Sequence, residues 1–269
     1  DSILSILDAK KISYTTVGRH GGKDLPGKLL AYAENIQHML PVVRDERPDL
    51  LLTERWPEAV RVAFGLGIPA WTIFYDEREV HVNKMVFPLS AKVFTPSFYT
   101  TRELQQHGVT HAQSIVWFKG FHTGYLKDQK TDGHDPFPPV GADHPVVLVR
   151  PEPEFASFFP QRKPVLEKTI DLLTETRTTH LYDFSVVMMP RSQAQAARYE
   201  KKGITMMSGS CPVNPVSHAD VVMGAAETML MEAFTLGNPT VSAIYWPESK
   251  PVVELHRYIE HGTNPRQIR

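Results

Sequence analysis

The stretch Asp220-Val221-Val222-Met223-Gly224-Ala225-Ala226-Glu227-Thr228-Met229-Leu230-Met231-Glu232-Ala233 decides how this chain is read. A run of apolar strand formers ends in small residues, and a helical pattern starts directly after them. A junction of this kind lets backbone N–H groups approach a phosphate, and the helix dipole favours its negative charge. Gly224, Ala225 and Ala226 form the turn, and Thr228 is placed to cap the helix or to donate to a phosphate oxygen. Glu232, one turn further in, is placed to accept hydrogen bonds from sugar hydroxyls. Glu227 opposes this reading, because a carboxylate beside a diphosphate is repelled by roughly 1 kcal/mol at 4 Å in water. The same residues also fit a close-packed strand–helix junction with a surface glutamate.

Working outward, the helix closes at Gly237, ahead of Pro239, and a further strand is expected over Thr240–Ile244. Upstream in the same half, strands are expected over Pro145–Val149 and Phe184–Met189, with an amphipathic helix over Pro164–Thr174 between them. The alternation is already present earlier in the chain. A helix over Lys28–Val43, kinked or ended near Pro41, leads to a strand at Leu50–Leu52. Pro57 opens a helix that stops at Gly65 to Gly67, and strands follow at Ala70–Phe74 and Lys92–Pro96 with a helix over Val80–Phe87. A short strand is expected over Ile12–Val17, after a helix within residues 1–10. Strand–helix alternation with short links predicts an α/β fold whose parallel sheets are covered on both faces.

Between Lys127 and His144 the composition turns to Asp, Gly, Pro and Lys, which predicts a linker. The expected organisation is an amino-terminal Rossmann-like half (1–126), a linker (127–144) and a carboxy-terminal Rossmann-like half (145–269).

Arg150 ends a strand, at the end where open α/β sheets place ligands. Pro151 and Pro153 stiffen the turn beyond it, so its guanidinium is expected to hold a phosphate or to pair with Glu152 or Glu154. Arg191, after Pro190, is a candidate of the same kind. His20, in a turn with Gly21 and Gly22, fits a general base or an ordinary loop histidine. Glu77 and His81, four apart, fit an acid–base or ligand pair, or a solvated charged face. His107 and His111 share that spacing, but Gly108 breaks the helix between them and no zinc site is expected. Trp56, Trp71, Trp117 and Trp246 are expected in the core or on a cleft wall.

The 269 residues are 42% hydrophobic and 22% charged with a formal net charge of −1. That composition allows a sizeable core and gives no global electrostatic case for nucleic acid or an anionic membrane. No basic aromatic-interleaved strand or helix-turn-helix pattern points to nucleic acid. No run approaches the roughly 20 apolar residues of a membrane span. Cys211 is the only cysteine, so no internal disulfide can form and a cytoplasmic setting is expected.

The Gly224 segment, with Phe234-Thr235-Leu236-Gly237-Asn238-Pro239 behind it, resembles the nucleotide-diphosphate motif of GT-B proteins. These include the peptidoglycan N-acetylglucosaminyltransferase and the UDP-N-acetylglucosamine 2-epimerases. More narrowly, four blocks resemble a GT-B-like family known as a domain of unknown function. They are Gly18–Lys23, Ala59–Pro69, Asn83-Lys84 with Phe87–Leu89, and Arg150-Pro151-Glu152-Pro153-Glu154. The resemblance implies two Rossmann-like halves facing a cleft, with the first strand of the amino-terminal half missing ahead of Asp1. It implies glycines in the phosphate turn where Ala226 and Glu227 stand, and a histidine where Arg78 stands. It also implies a glycosyltransferase that binds a nucleoside diphosphate sugar through Arg150, Arg191, Gly224, Ala225, Ala226, Thr228 and Glu232. The acceptor, a lipid-linked molecule or a glycan, would lie near the catalytic candidates His20, Glu77 and His81. No metal or cofactor is implied, because helix termini and basic side chains neutralise a leaving diphosphate. An epimerase of the same fold, or a nucleotide-binding or assembly module without chemistry, is the alternative.

Overall fold

The structure, a computed structural model, describes residues 4, 7–8, 11–22, 24–128, 137, 144–154, 165–178, 183–207, 213–244 and 249–262. Cys211, Lys23, Trp246 and nearly all of the expected linker lie outside the described residues. The fold is α/β with two parallel sheets. The chain divides into Lys10–Gly120 and a second compact unit of Phe121–Arg269 with Asp1–Ala9. That division falls ahead of the linker expected over 127–144.

The amino-terminal unit opens with helix α1 (Leu25–Glu46), which Asp24 caps by accepting from the Gly27 N–H. The helix passes through Pro41, so of the two expectations there, a kink or an end, the end does not occur. Proline removes one intrahelical bond, but Ala31 and Met39 are buried and Met39 packs against Ala59 and Val62. That packing outweighs the local cost. Strands β1 (Leu51–Thr53), β2 (Ala70–Ile73), β3 (Lys92–Pro96) and β4 (Ile115–Phe118) follow in sequential order, all parallel. The helices between them are α2 (Pro57–Gly65), α3 (Val80–Val86) and α4 (Thr101–Gln106).

Right-handed crossovers that advance in one direction put all three helices on one face of the sheet. Val60, Ala70, Phe74, Val86, Val93, Leu104 and Ile115 form the core on that side. The expectation that both faces are covered is not met here among the described residues. Leu52 and Trp71, neighbours in register on the other face, are 64% and 37% exposed. Trp56 and Trp117 are likewise exposed and do not belong to the core.

The strand expected over Ile12–Val17 is also absent. These residues join no sheet ladder, and Ile12 and Tyr14 are exposed. An alternating pattern makes a strand only where a neighbour takes up its backbone groups.

In the carboxy-terminal unit a 3-10 helix (His122–Asp128) precedes β5 (Val146–Arg150), α5 (Val165–Thr178), β6 (Ser185–Met188), α6 (Gln193–Glu200) and β7 (Thr205–Met206). Then come α7 (Val213–His218), β8 (Val221–Gly224), α8 (Glu227–Leu236), β9 (Thr240–Ser242), α9 (Lys250–Leu255) and β10 (Glu260–His261). The strands lie in the order β10-β9-β8-β5-β6-β7, all parallel. Connections run outward from β5 in one direction and from β8 in the other. This is the doubly wound Rossmann order, and β5 and β8 meet at its switch point. Leu148 and Val222, opposite each other there, are fully buried. Each such side chain contributes about 1.5–3 kcal/mol. No helix among the described residues is long and apolar enough to cross a membrane.

Candidate functional site

The reversal of strand order opens the sheet between the carboxyl ends of β5 and β8, and the end residues there are Arg150 and Gly224. They face each other in register. A Cβ on Gly224 would lie 2.7 Å from the Arg150 carbonyl oxygen and 3.2 Å from its Cβ. Only glycine lets the strands approach this closely before the turn. The Ala225 N–H then donates to the same carbonyl at 3.0 Å, which aims the chain into α8.

The cap position of α8 is Ala226, so Thr228 is not the cap; it is the exposed second residue of the helix. Ala226 has no side-chain acceptor, and no side chain caps the first turn. The positive end of the helix dipole therefore has no side-chain cap at Ala226, and Glu227 is the acidic residue of that turn. Glu227, the first helical residue, accepts a hydrogen bond from the Ser249 hydroxyl. Ser249 also caps α9. The carboxylate that sequence reasoning sets against a phosphate is thus held by a neighbouring helix start.

Glu232 is only 8% exposed. Burial pushes its carboxyl up to about 7, against a downward pull from Arg150. It makes no hydrogen bond among the described residues. Arg150 donates through Nη1 to the carbonyls of Met189 and Pro190, at 3.0 and 3.1 Å. Neither of the acidic partners considered for Arg150 is free for it. Glu152 is fully buried and accepts from the Leu166 N–H in the first turn of α5, and Glu154 pairs with Arg198. Nη1 of Arg150 therefore braces β5 against the loop after β6, leaving Nε and Nη2 without a bond among the described residues.

Arg191 donates through Nε to the Pro151 carbonyl at 3.0 Å. The residue as a whole is exposed, but its guanidinium is hemmed in, and burial with the nearby charge of Arg150 brings it down to about 10. Two guanidinium groups and one carboxyl of raised pKa thus gather around the switch point.

The amino-terminal candidates are held differently. His20 is exposed, and its Nδ1 accepts from the Gly22 N–H at 3.0 Å within its own turn. Asn35 on α1 ties that turn down, bonding both the N–H and the carbonyl of Arg19. Glu77 and His81 do not share a helix. α3 starts at Val80, so the spacing of four spans a bend, and His81 is exposed. Glu77 instead accepts from the Tyr99 hydroxyl at 2.5 Å. Asp76 takes a two-pronged bond from Arg78 at 3.0 and 2.9 Å. Asn83, fully buried, donates to the Asp76 carbonyl and accepts from Arg55. Sequence reasoning missed Arg55, Asn83 and Tyr99. Only the Asn83-Lys84 block hinted at one of them.

Two parallel α/β units with a small-residue strand–helix junction fit many families, and a match over residues 2–266 decides among them. The chain belongs to the family described as protein of unknown function DUF354. An uncharacterized protein of Methanocaldococcus jannaschii is 26% identical over 265 residues, covering 94% of this chain and 74% of the relative. UDP-GlcNAc 2-epimerase from Neisseria meningitidis, solved bound to UDP-GlcNAc, aligns with a TM-score of 0.68 at 13% identity. That alignment covers 99% of this DUF354 chain and 78% of the epimerase. The glycotransferase of kitacinnamycin aligns at 0.60 and 14% identity, covering 100% and 80%. At such identities these likenesses show a shared GT-B-like fold.

Proposed function

We propose that this DUF354 protein is a GT-B-type glycosyltransferase that binds a nucleoside diphosphate sugar at the carboxyl ends of β5 and β8. The observation that carries the reading is the uncapped first turn of α8 at the topological switch point, one turn ahead of the buried, unbonded Glu232. The diphosphate lies against the N–H groups of Glu227, Thr228 and Met229, with Ala225 and Ala226 keeping the approach narrow. Nε and Nη2 of Arg150 supply positive charge, with Arg191 behind them. Glu232 accepts from the ribose hydroxyls. The acceptor falls to the amino-terminal unit, where His20 and the Glu77–Tyr99 pair are the acid–base candidates. A neighbour solved with UDP-GlcNAc supports the ligand class.

The same neighbour is a 2-epimerase, which favours epimerisation as the second reading. Incubation with a panel of nucleotide sugars in deuterated buffer separates the two. Transfer predicts nucleoside diphosphate release that depends on an added glycan or lipid-linked acceptor. Epimerisation predicts solvent deuterium in the sugar with no acceptor present. Binding without either reaction would contradict both and leave a non-catalytic nucleotide module.

A further inference from the structure

We infer that the Nε–Nη2 edge of Arg55, in the amino-terminal unit, is a docking point for a carboxylate or phosphate oxyanion of a second ligand. Arg55 lies two residues past the carboxyl end of β1, at the edge of a parallel sheet where ligands gather. Its backbone has φ +64, a left-handed conformation that a side chain with a Cβ adopts only when its surroundings hold it there. Its side chain is only 9% exposed. Nη1 is fully used, donating to the Asp76 carbonyl at 3.0 Å and to Asn83 Oδ1 at 3.2 Å. The Tyr75 ring lies 5.2 Å from the guanidinium carbon.

The other edge is unused. Nε is buried and has no hydrogen-bond partner. Nη2 has only Glu54 Oε1, 4.0 Å away. Those two parallel N–H groups match the two oxygens of a carboxylate or phosphate. A guanidinium serving structure alone would be expected to fill them, because a buried unpaired donor is costly.

The surrounding acids leave room for an incoming anion. Asp76 is occupied by Arg78 and Glu77 by Tyr99. Glu54 is the competitor: its side chain is 59% exposed and accepts from the Tyr75 hydroxyl. The ligand therefore competes with one exposed carboxylate and with no buried salt bridge.

The test follows the Arg55 Nε–H resonance of the whole protein during separate titrations with inorganic phosphate and acetate. The inference predicts a saturable shift with at least one of them, phosphate alone marking a phosphorylated ligand and both marking any oxyanion. Glu54→Gln, which removes the competing charge, should tighten binding several-fold. Arg55→Lys keeps the charge but loses the edge and should weaken binding roughly tenfold. An Nε–H resonance that neither anion moves, in wild type and in Glu54→Gln alike, overturns the inference whether or not Arg55→Lys folds. Nucleotide binding on the carboxy-terminal unit is independent of every one of these results.

Discussion

Glu232→Ala is expected to weaken binding of a nucleoside diphosphate sugar by one to two orders of magnitude and to leave inorganic diphosphate binding unchanged. Loss of a charge-assisted hydrogen bond of this kind costs about 1.5–3 kcal/mol. The contrast between ligands matters, because Glu232 is assigned to ribose and not to phosphate. Equal losses for both in calorimetry would contradict the assignment. The same residue gives a pH signature. Its carboxyl is raised from the ordinary 4.5 to about 7, so the folded protein holds that proton more tightly than the unfolded chain. The stability this contributes is fully present below about 4.5 and is lost as pH rises through 7. Across that window the loss amounts to roughly 3 kcal/mol. Glu232→Gln abolishes it, so variant and wild type should diverge in denaturant melts between pH 5 and 8. Affinity for the sugar nucleotide, which has no ionisation of its own near 7, should rise with pH in wild type and stay flat in Glu232→Gln. A flat wild-type profile would show that ligand binding does not need the ionised carboxylate.

Gly224→Ala is expected to destabilise the carboxy-terminal unit by about 1–3 kcal/mol and to abolish nucleotide binding. The added methyl would meet the backbone of β5, with the Arg150 carbonyl oxygen at 2.7 Å. A buried central strand cannot move aside as a flexible side chain would. Relief comes only by separating β5 from β8, which shifts Arg150 away from the α8 turn. Chemical denaturation with a parallel binding assay checks both parts. A variant of unchanged stability and affinity would mean that the strands are not held this tightly.

The β8–α8 junction was legible because it is local. A strand, a small-residue turn and a helix occupy consecutive residues, so Gly224 and Glu232 fell where the pattern put them. Sheet order was not legible, since β5 pairs with β8 across an intervening pair of strands. Ile12–Val17 has a strand's alternation and no ladder. Pro41 reads as a kink or an end, and tertiary packing carries α1 past it. The fate of Arg150 depended on the carbonyls of Met189 and Pro190, distant in sequence and invisible to spacing. The spacing of Glu77 and His81 fits an acid–base pair or a charged face only if a helix spans both, and the helix starts at Val80. The capping box of Thr100 and Glu103 marks the start of α4, a local signal that sequence reasoning passed over. Arg55 could not be found this way, because its significance lies in a backbone angle and an unfilled edge.

Amide hydrogen exchange with and without a saturating nucleoside diphosphate tests the central claim most directly. The N–H groups of Glu227, Thr228 and Met229 lie in the first turn of α8, where no intrahelical acceptor exists. They should exchange at least tenfold more slowly when a diphosphate lies against them than in its absence. Glu232→Ala should shift the concentration needed and leave the pattern of protection the same. Nucleotide binding that leaves these three amides unprotected would contradict the account, and the α8 turn would then be a structural junction alone.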